Sequence, residues 1–297
     1  MNRNQLRIAT NNGFGYLFQF TGLFCIAVLL GILAMLMYNA TAFFFEASPI
    51  DFITQTQWNP NNNPLKASYG LLSLLASTLL VTLGAMVLAI PLGIGTALFM
   101  SEYAGGWLKH WLKPAIEILA AIPSVVIGFI GIVAVAPALA WMFGLNNGLN
   151  ALNGAILLAI MALPTIITVS EDAIHAVPST LKEASYALGA DRWTTIRKVI
   201  VPAAYPGIIA AVMLGIGRAI GETMTVLMAT GNALAFPGGF FDSIRTITAT
   251  IAIEMGEVPF RTTHYYGLFA IAFVLFMITM VVNIMAESIA NRARKFQ

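Results

Sequence analysis

Arg218 and Glu222 stand four residues apart inside an apolar run that covers residues 207–230. If that run is one helix, a turn of about 100° per residue puts Gly207 and Thr225 at about 0°, Arg218 at about 20°, Ala211 at about 40°, Glu222 at about 60° and Gly215 at about 80°. Small residues on the shared face allow close helix approach, so the charged pair is expected to point into protein. A central arginine costs about 2.5–3.5 kcal/mol on insertion scales, and Glu222 could return only part of that. The planar guanidinium fork also matches the oxygens of a phosphate-like anion. Two roles stay open, an ion pair that holds helices together and a place on an anion path lined by Arg218, Glu222 and Thr225. One pair could serve both, with Glu222 neutralising Arg218 so that anions pass without being trapped.

A second group lies in residues 180–202, T-L-K-E-A-S-Y-A-L-G-A-D-R-W-T-T-I-R-K-V-I-V-P, too polar to span lipid although long apolar runs flank it. Thr180 and Glu183 have the spacing of a reciprocal capping box, which predicts a short helix over 181–188. Gly189 supplies the left-handed residue that ends such a helix. Asp191 can cap a second helix carrying Arg192, Trp193, Arg197 and Lys198, and Pro202 and Pro206 close the unit. These signals predict a rigid helix-turn-helix, a surface for another protein. Glu183 is either a contact residue there or only a cap.

The elements that must position these groups follow from composition. The chain is 59% hydrophobic and 9% charged, against about 25% charged in a soluble domain, so it is an integral membrane protein. The net charge of +2, with basic residues scattered, gives no reason for a nucleic-acid partner. Runs of about 20 apolar residues cross the hydrocarbon core. Six are found, at residues 17–37, 71–100, 116–143, 151–169, 207–230 and 266–285. The class is all-α, a polytopic membrane protein of six transmembrane helices. Pro91, Pro123 and Pro164 fall in the second, third and fourth runs and are expected either as helix breaks, tolerated where neighbouring helices or a water-filled cavity satisfy the freed backbone, or as simple kinks in a packed bundle.

Lys and Arg set the orientation. With both termini cytoplasmic, the inside holds Arg3, Arg7, Lys109, Lys113, Lys182, Arg192, Arg197, Lys198, Arg292, Arg294 and Lys295, and the outside only Lys66, Arg245 and Arg261. This 11-to-3 bias puts 180–202 on the cytoplasmic side. The chain then divides into a cytoplasmic segment 1–16, a first transmembrane helix 17–37, an external loop 38–70, a five-helix core 71–286 and a basic cytoplasmic tail 287–297. The external W-N-P-N-N-N-P run reads as an irregular surface or as a docking site for an external partner. Residues 231–264 could hold a short interfacial or re-entrant helix. Ala40-Thr41-Ala42 resembles a signal-peptidase site, but the preceding apolar stretch exceeds the roughly 7–15 residues of a signal core, so an anchor is expected. The single Cys25 excludes a disulfide framework and sits in an apolar run.

Glu183-Ala184-Ser185, Gly189 and Val199-Ile200-Val201-Pro202 resemble the EAA loop of bacterial ABC importer permeases. That pattern is Glu-Ala-Ala, three residues, Gly, nine residues, then Ile-x-Leu-Pro; this chain departs at Ser185, Val199 and Val201. The resemblance implies the type I ABC importer permease fold. In it the short helix enters a cleft on an ATPase subunit, Glu183 helps hold that contact, and Ala184, Ser185, Gly189 and Pro202 complete the coupling unit. I-L-A-A-I-P-S-V-V-I-G at 118–128 and G-I-G-R-A-I-G-E-T-M at 215–224 are similar to the PstC-type permeases of phosphate-specific transport systems. So are W-N-P before Tyr69-Gly70, W-L-K at 107–109 and E-A-S-Y-A-L-G. The sister PstA type typically reads A-R-I-A-G-E-T-A and lacks the second Ala before Pro-Ser. The likeness runs from about residue 58 to the C-terminus. It implies a heterodimer with a second, PstA-type permease, two ATPase subunits carrying ATP and Mg, an external phosphate-binding protein, inorganic phosphate as substrate, and a multi-pass place in the bacterial inner membrane. No cofactor is expected on this chain.

No G-x-x-x-x-G-K-[ST], H-E-x-x-H or G-x-S-x-G occurs, and His110, His175 and His264 lie too far apart for a metal motif, so no enzyme is expected. A gradient-driven transporter or channel could carry a charged span but needs no docking loop; a permease for another oxyanion is the alternative to phosphate. The orientation is directly testable. A cysteine in place of Lys295 should react with a membrane-impermeant maleimide only after the cells are opened, because the charge bias holds that end inside; labelling of intact cells would contradict the six-span arrangement.

Overall fold

The computed structural model describes residues 3–61 and 67–294; Lys66, part of the Asn-Pro run and Lys295 lie outside them. Six helices among the described residues are long and apolar enough to cross a membrane: Phe14–Glu46, Leu72–Tyr103, Ser124–Phe143, Ala151–His175, Arg192–Gly221 and Thr263–Ile289. The first belongs to α1 (Arg3–Glu46), which continues helical past residue 37. Nothing between 38 and 46 breaks a helix, and Ala40 and Phe43 are buried in a cluster with residues of the last helix. The expected external loop therefore begins only after Glu46. It folds into α2 (Pro49–Thr54) and a hairpin of β1 (Trp58–Asn59) and β2 (Ser68–Tyr69), with Trp58 opposite Tyr69.

The core begins with α3 (Leu72–Leu98), which ends in a π-helical turn, Phe99–Tyr103. Next come α4 (Gly106–Ala121), α5 (Ser124–Ile130), a second π-helical turn at Gly131–Val135, α6 (Ala136–Phe143) and α7 (Ala151–His175). The polar segment gives α8 (Ser179–Ala187) and α9 (Arg192–Thr195), which leads through a third π-helical turn, Ile196–Ile200, into α10 (Val201–Gly221). The chain closes with α11 (Met224–Ala229), α12 (Ile247–Glu254) and α13 (Thr263–Arg294). Helix α7 is central, packed on α3 and α10. Ile166 of α7 is fully buried between two glycines: a Cβ on Gly93 would lie 2.6 Å from its Cγ2, and one on Gly215 2.7 Å from its Cγ1. Small residues thus bring the three helices together, as close packing in lipid requires.

Of the three prolines expected to break spans, only Pro123 does. Ile122 and Pro123 are extended, with ψ of 126° and 139°, so residues 116–121 belong to α4 and the third span starts at Ser124. Helix α4 has no buried residue; Leu112 and Ile116 pack partly against the core while Trp107, Trp111 and Ile118 are exposed. Pro91 and Pro164 lie inside unbroken α3 and α7. Each removes one backbone bond, but these are the most tightly packed helices of the bundle, and that packing keeps them continuous.

The segment after α11 holds the short helix expected within 231–264. Thr246 caps α12, its hydroxyl accepting from Ala249 N–H at 3.3 Å, and Ile247, Thr248, Ala249 and Thr250 are buried among α3, α11 and α13. At the same end Glu254 gathers the Trp58 indole at 2.9 Å, Arg245 at 3.0 Å and His264 at 2.8 Å. Burial, then the neighbouring Glu46 carboxylate, pushes the Tyr69 phenol up. One packing contact is sharply testable. A Cβ on Gly207 would lie 2.3 Å from Ala173 Cβ, so Gly207→Ala should lower the stability of the purified protein by about 1–3 kcal/mol. Adding Ala173→Gly should restore most of it in thermal unfolding; no loss in the single variant would mean that α7 and α10 are not in register here.

Candidate functional site

The polar loop forms the two helices its sequence predicts, with a different start. Helix α8 opens at Ser179 behind Pro178, which offers no side-chain cap. Thr180 therefore lies inside the helix and the expected capping box does not form, because Pro178 starts the helix ahead of it. The C-terminal signal holds. Gly189 has φ of 81°, its N–H donates to Tyr186 O at 2.9 Å, and Ala190 N–H donates to Ser185 O at 3.2 Å, the paired bonds of a Schellman ending. Asp191 takes the N-cap position of α9 without a full capping bond. The Thr194 hydroxyl, helped by first-turn backbone N–H groups, still holds its carboxyl below the usual range.

Ser185 is buried, and its hydroxyl lies 2.8 Å from that of Thr195. The departure from Glu-Ala-Ala thus adds a bond that joins α8 to α9. Ile196 and Ile200 anchor α9 in an apolar cluster with Ala97, Met100 and Ile174. Glu183 and Ala184 are exposed, and so are Leu181, Tyr186, Leu188 and Trp193. The loop presents a carboxylate among apolar side chains on a fixed scaffold. Pro202 and Pro206 do not close this unit. Helix runs unbroken over Arg192–Gly221, because the π-helical turn, with Val201 N–H donating to Ile196 O, displaces the carbonyl that the Pro202 ring would strike. The second helix of the polar loop and the fifth span are one rod.

That rod ends before Glu222, so the single-face reading of 207–230 holds only to Gly221. Glu222 is extended, with ψ of 132°, and the chain restarts as α11. The small-residue face is as expected: Ala211 and Gly215 are buried on α7. Arg218 sits at its rim, exposed, with a guanidinium nitrogen 3.3 Å from Thr165 Oγ1. Among the described residues Arg218 and Glu222 form no ion pair. Glu222 is occupied elsewhere. Its carboxylate accepts from Thr225 N–H at 3.1 Å, its carbonyl accepts from the Thr248 hydroxyl at 2.9 Å, and it does not neutralise Arg218. Thr225 is fully buried, with its hydroxyl 3.1 Å from the Ser124 carbonyl, and so ties α11 to α5 instead of lining an open path.

Two breaks, at Pro123 and at residues 221–223, therefore meet through Thr225 and Ser124. A Cβ on Gly128 would lie 3.3 Å from Thr225 Cα, so the broken segments touch along their backbones. Sequence reasoning missed Thr165, Thr248 and Ser124, whose separations along the chain leave no local signal. It also missed two buried carboxylates near the loop: Glu102, paired with Lys182 at 2.5 Å, and Glu171, paired with Lys109 at 2.7 Å. Among the described residues no cluster of His, Cys, Asp and Glu could hold a metal ion.

A six-span bundle with an exposed polar helix pair ahead of a broken span has the architecture of the membrane subunits of ABC importers. The fold agrees with that of a bacterial alginate ABC transporter solved with its periplasmic protein (TM-score 0.62, 16% identity, covering 96% of this chain and 98% of that one). It agrees also with the inward-facing MetNI methionine transporter (TM-score 0.56, 20% identity, 75% and 94%). Residues 89–295 match the family of binding-protein-dependent transport system inner membrane components, and the chain belongs to that family. It is 34% identical over 286 residues to the phosphate transport system permease protein PstC of Mesorhizobium japonicum, covering 90% of this chain and 86% of that protein. It is 40% identical over 247 residues to YqgH of Bacillus subtilis strain 168, a probable ABC transporter permease, covering 83% and 79%.

The Gly189 turn gives a direct check on the loop. A β-branched residue at φ of 81° is strained by about 1–3 kcal/mol, so Gly189→Val should make residues 185–195 exchange amide hydrogens faster, while Gly189→Asn should stay near wild type. Equal protection in all three would mean that the turn does not hold the two helices.

Proposed function

We propose that this chain is the PstC-type permease of an ATP-driven importer of inorganic phosphate. It works with a second, PstA-type permease, two ATPase subunits that carry ATP and Mg, and an external phosphate-binding protein, with both of its termini in the cytoplasm. One observation carries this reading: the exposed Glu183 surface and the exposed Arg218 guanidinium belong to one fixed assembly, joined by the unbroken helix Arg192–Gly221. The PstC relatives supply the substrate. Hydrolysis belongs to the ATPase subunits, since this chain has no P-loop.

In this account ATP binding closes the ATPase pair on α8. Glu183 and the apolar side chains around it are gripped, α9 follows through the Ser185–Thr195 bond, and α10 carries the displacement to Arg218 and the break beside it. Because Glu222 is engaged with α11, the Arg218 guanidinium is left to a passing anion. It holds that anion through charge-assisted bonds that the planar fork can make two at a time. Release follows when the rod moves back.

The test uses the complete complex, purified with its encoded partners and placed in liposomes. Phosphate-loaded binding protein should stimulate ATP hydrolysis. Arg218→Gln should reduce phosphate uptake roughly 10- to 100-fold, the loss of one charge-assisted contact, while the complex still assembles. Adding Glu222→Gln should restore nothing, because no ion pair is being repaired and glutamine keeps the acceptor for Thr225 N–H. Transport recovered in the double variant would refute the path role of Arg218. Stimulation by another oxyanion but not by phosphate would move the substrate assignment.

A further inference from the structure

Helix α3 is separated from the coupling loop by four further helices of the chain, yet the π-helical turn that ends it holds both of the loop's helices. Lys182, the residue before Glu183 in α8, places its ammonium 2.5 Å from Glu102 Oε1. Arg192, the first residue of α9, stacks its guanidinium 4.5 Å from the centre of the Tyr103 ring. Glu102 and Tyr103 are consecutive and close the π-helical turn Phe99–Tyr103. We infer that these four side chains form a two-point clamp that makes α3 move with the coupling loop, so that the ATPase stroke reaches the bundle through α3 as well as through α10. The inference rests on the coupling role proposed for Glu183.

Three observations make the clamp directional. The Glu102 side chain is only 7% exposed and that of Lys182 23%, so parting them would leave a carboxylate buried without its cation, which is strongly unfavourable. Among the described residues the other side-chain partner of Glu102 is Ser101, at 3.3 Å, and it brings no charge. The apolar cluster beneath, with Ala97 and Met100 of this end of α3 against Ile196 and Ile200, gives attraction without a fixed direction. Meanwhile the Ser185–Thr195 bond keeps α8 and α9 one body. A pull on α8 therefore draws on α3 at Glu102, and a turn of α9 draws on it at Tyr103. Glu102, Tyr103, Lys182 and Arg192 act as positioning residues, through the helices they join.

The test measures phosphate imported per ATP hydrolysed by the reconstituted complex. Glu102→Cys with Lys182→Cys, made with Cys25→Ser, removes the pair without leaving a buried charge. It should keep the ATPase subunits bound and lower the ratio about fivefold, the low end of an allosteric coupling. Joining the two cysteines with a short bismaleimide should return the ratio toward wild type, because α8 and α3 need to move together and not to part. Tyr103→Leu, which leaves the buried pair intact, should lower the ratio in the same direction and decides the matter if the double cysteine variant fails to assemble. Lys109→Gln with Glu171→Gln, a pair that joins α4 to α7 and neither helix of the loop, controls for the general loss of a salt bridge and should leave the ratio unchanged. An unchanged ratio in the unlinked variant, or a linked form no better coupled than the unlinked one, overturns the clamp. The coupling reading beneath it fails separately, if Glu183→Ala keeps wild-type ATPase binding and coupling.

Discussion

A backbone that leaves the helix inside a membrane bundle must find its hydrogen bonds in protein, since lipid offers none, and the rest of this structure is arranged around that need. Two side-chain hydroxyls and one carboxylate meet it at the fifth span: Thr225 on Ser124 O, Thr248 on Glu222 O, and Glu222 on Thr225 N–H. Asn153 of the central helix meets it again, donating to Gly131 O at 3.2 Å and Ala229 O at 3.1 Å. Because the freed groups are answered, α10 can stop at Gly221 and the third span can begin at Ser124, and Arg218 is left beside a break instead of in mid-helix.

This arrangement separates two charges that the sequence sets together. Glu222 serves backbone geometry and Arg218 stays exposed at the rim of α10, available to a partner subunit or an anion. The polar loop shows the opposite arrangement. There the Schellman turn at Gly189 and the Lys182–Glu102 and Arg192–Tyr103 contacts tie separate elements together. Rigid at one end and broken at the other, the Arg192–Gly221 rod is suited to carry a displacement from a docking surface to a hinge.

Much of this was legible in the residues. Six apolar runs gave six spans, because burial in lipid demands both length and hydropathy. Gly189 gave its turn, because only a residue tolerant of positive φ fits there. The capping box failed because Pro178, one residue before Ser179, starts the helix too early for Thr180 to cap it. Pro91 and Pro164 misled because tertiary packing outweighs one lost backbone bond, whereas Pro123 follows a short surface helix with little to hold it straight. The break at Gly221 was hidden by the continuous apolar character of 207–230; only partners far along the chain, Thr248 and Ser124, make it affordable. Glu102 and Lys182 are 80 residues apart, and no local pattern joins them.

The central claim is that ATP, and not an ion gradient, drives phosphate through this subunit and its partner. The most direct measurement is uptake of radiolabelled phosphate by liposomes holding the reconstituted complex, with binding protein outside and ATP sealed inside. The account predicts accumulation that requires internal ATP and the binding protein and that persists when protonophore and sodium ionophore collapse all gradients. Uptake that follows a proton or sodium gradient in the absence of ATP would contradict it.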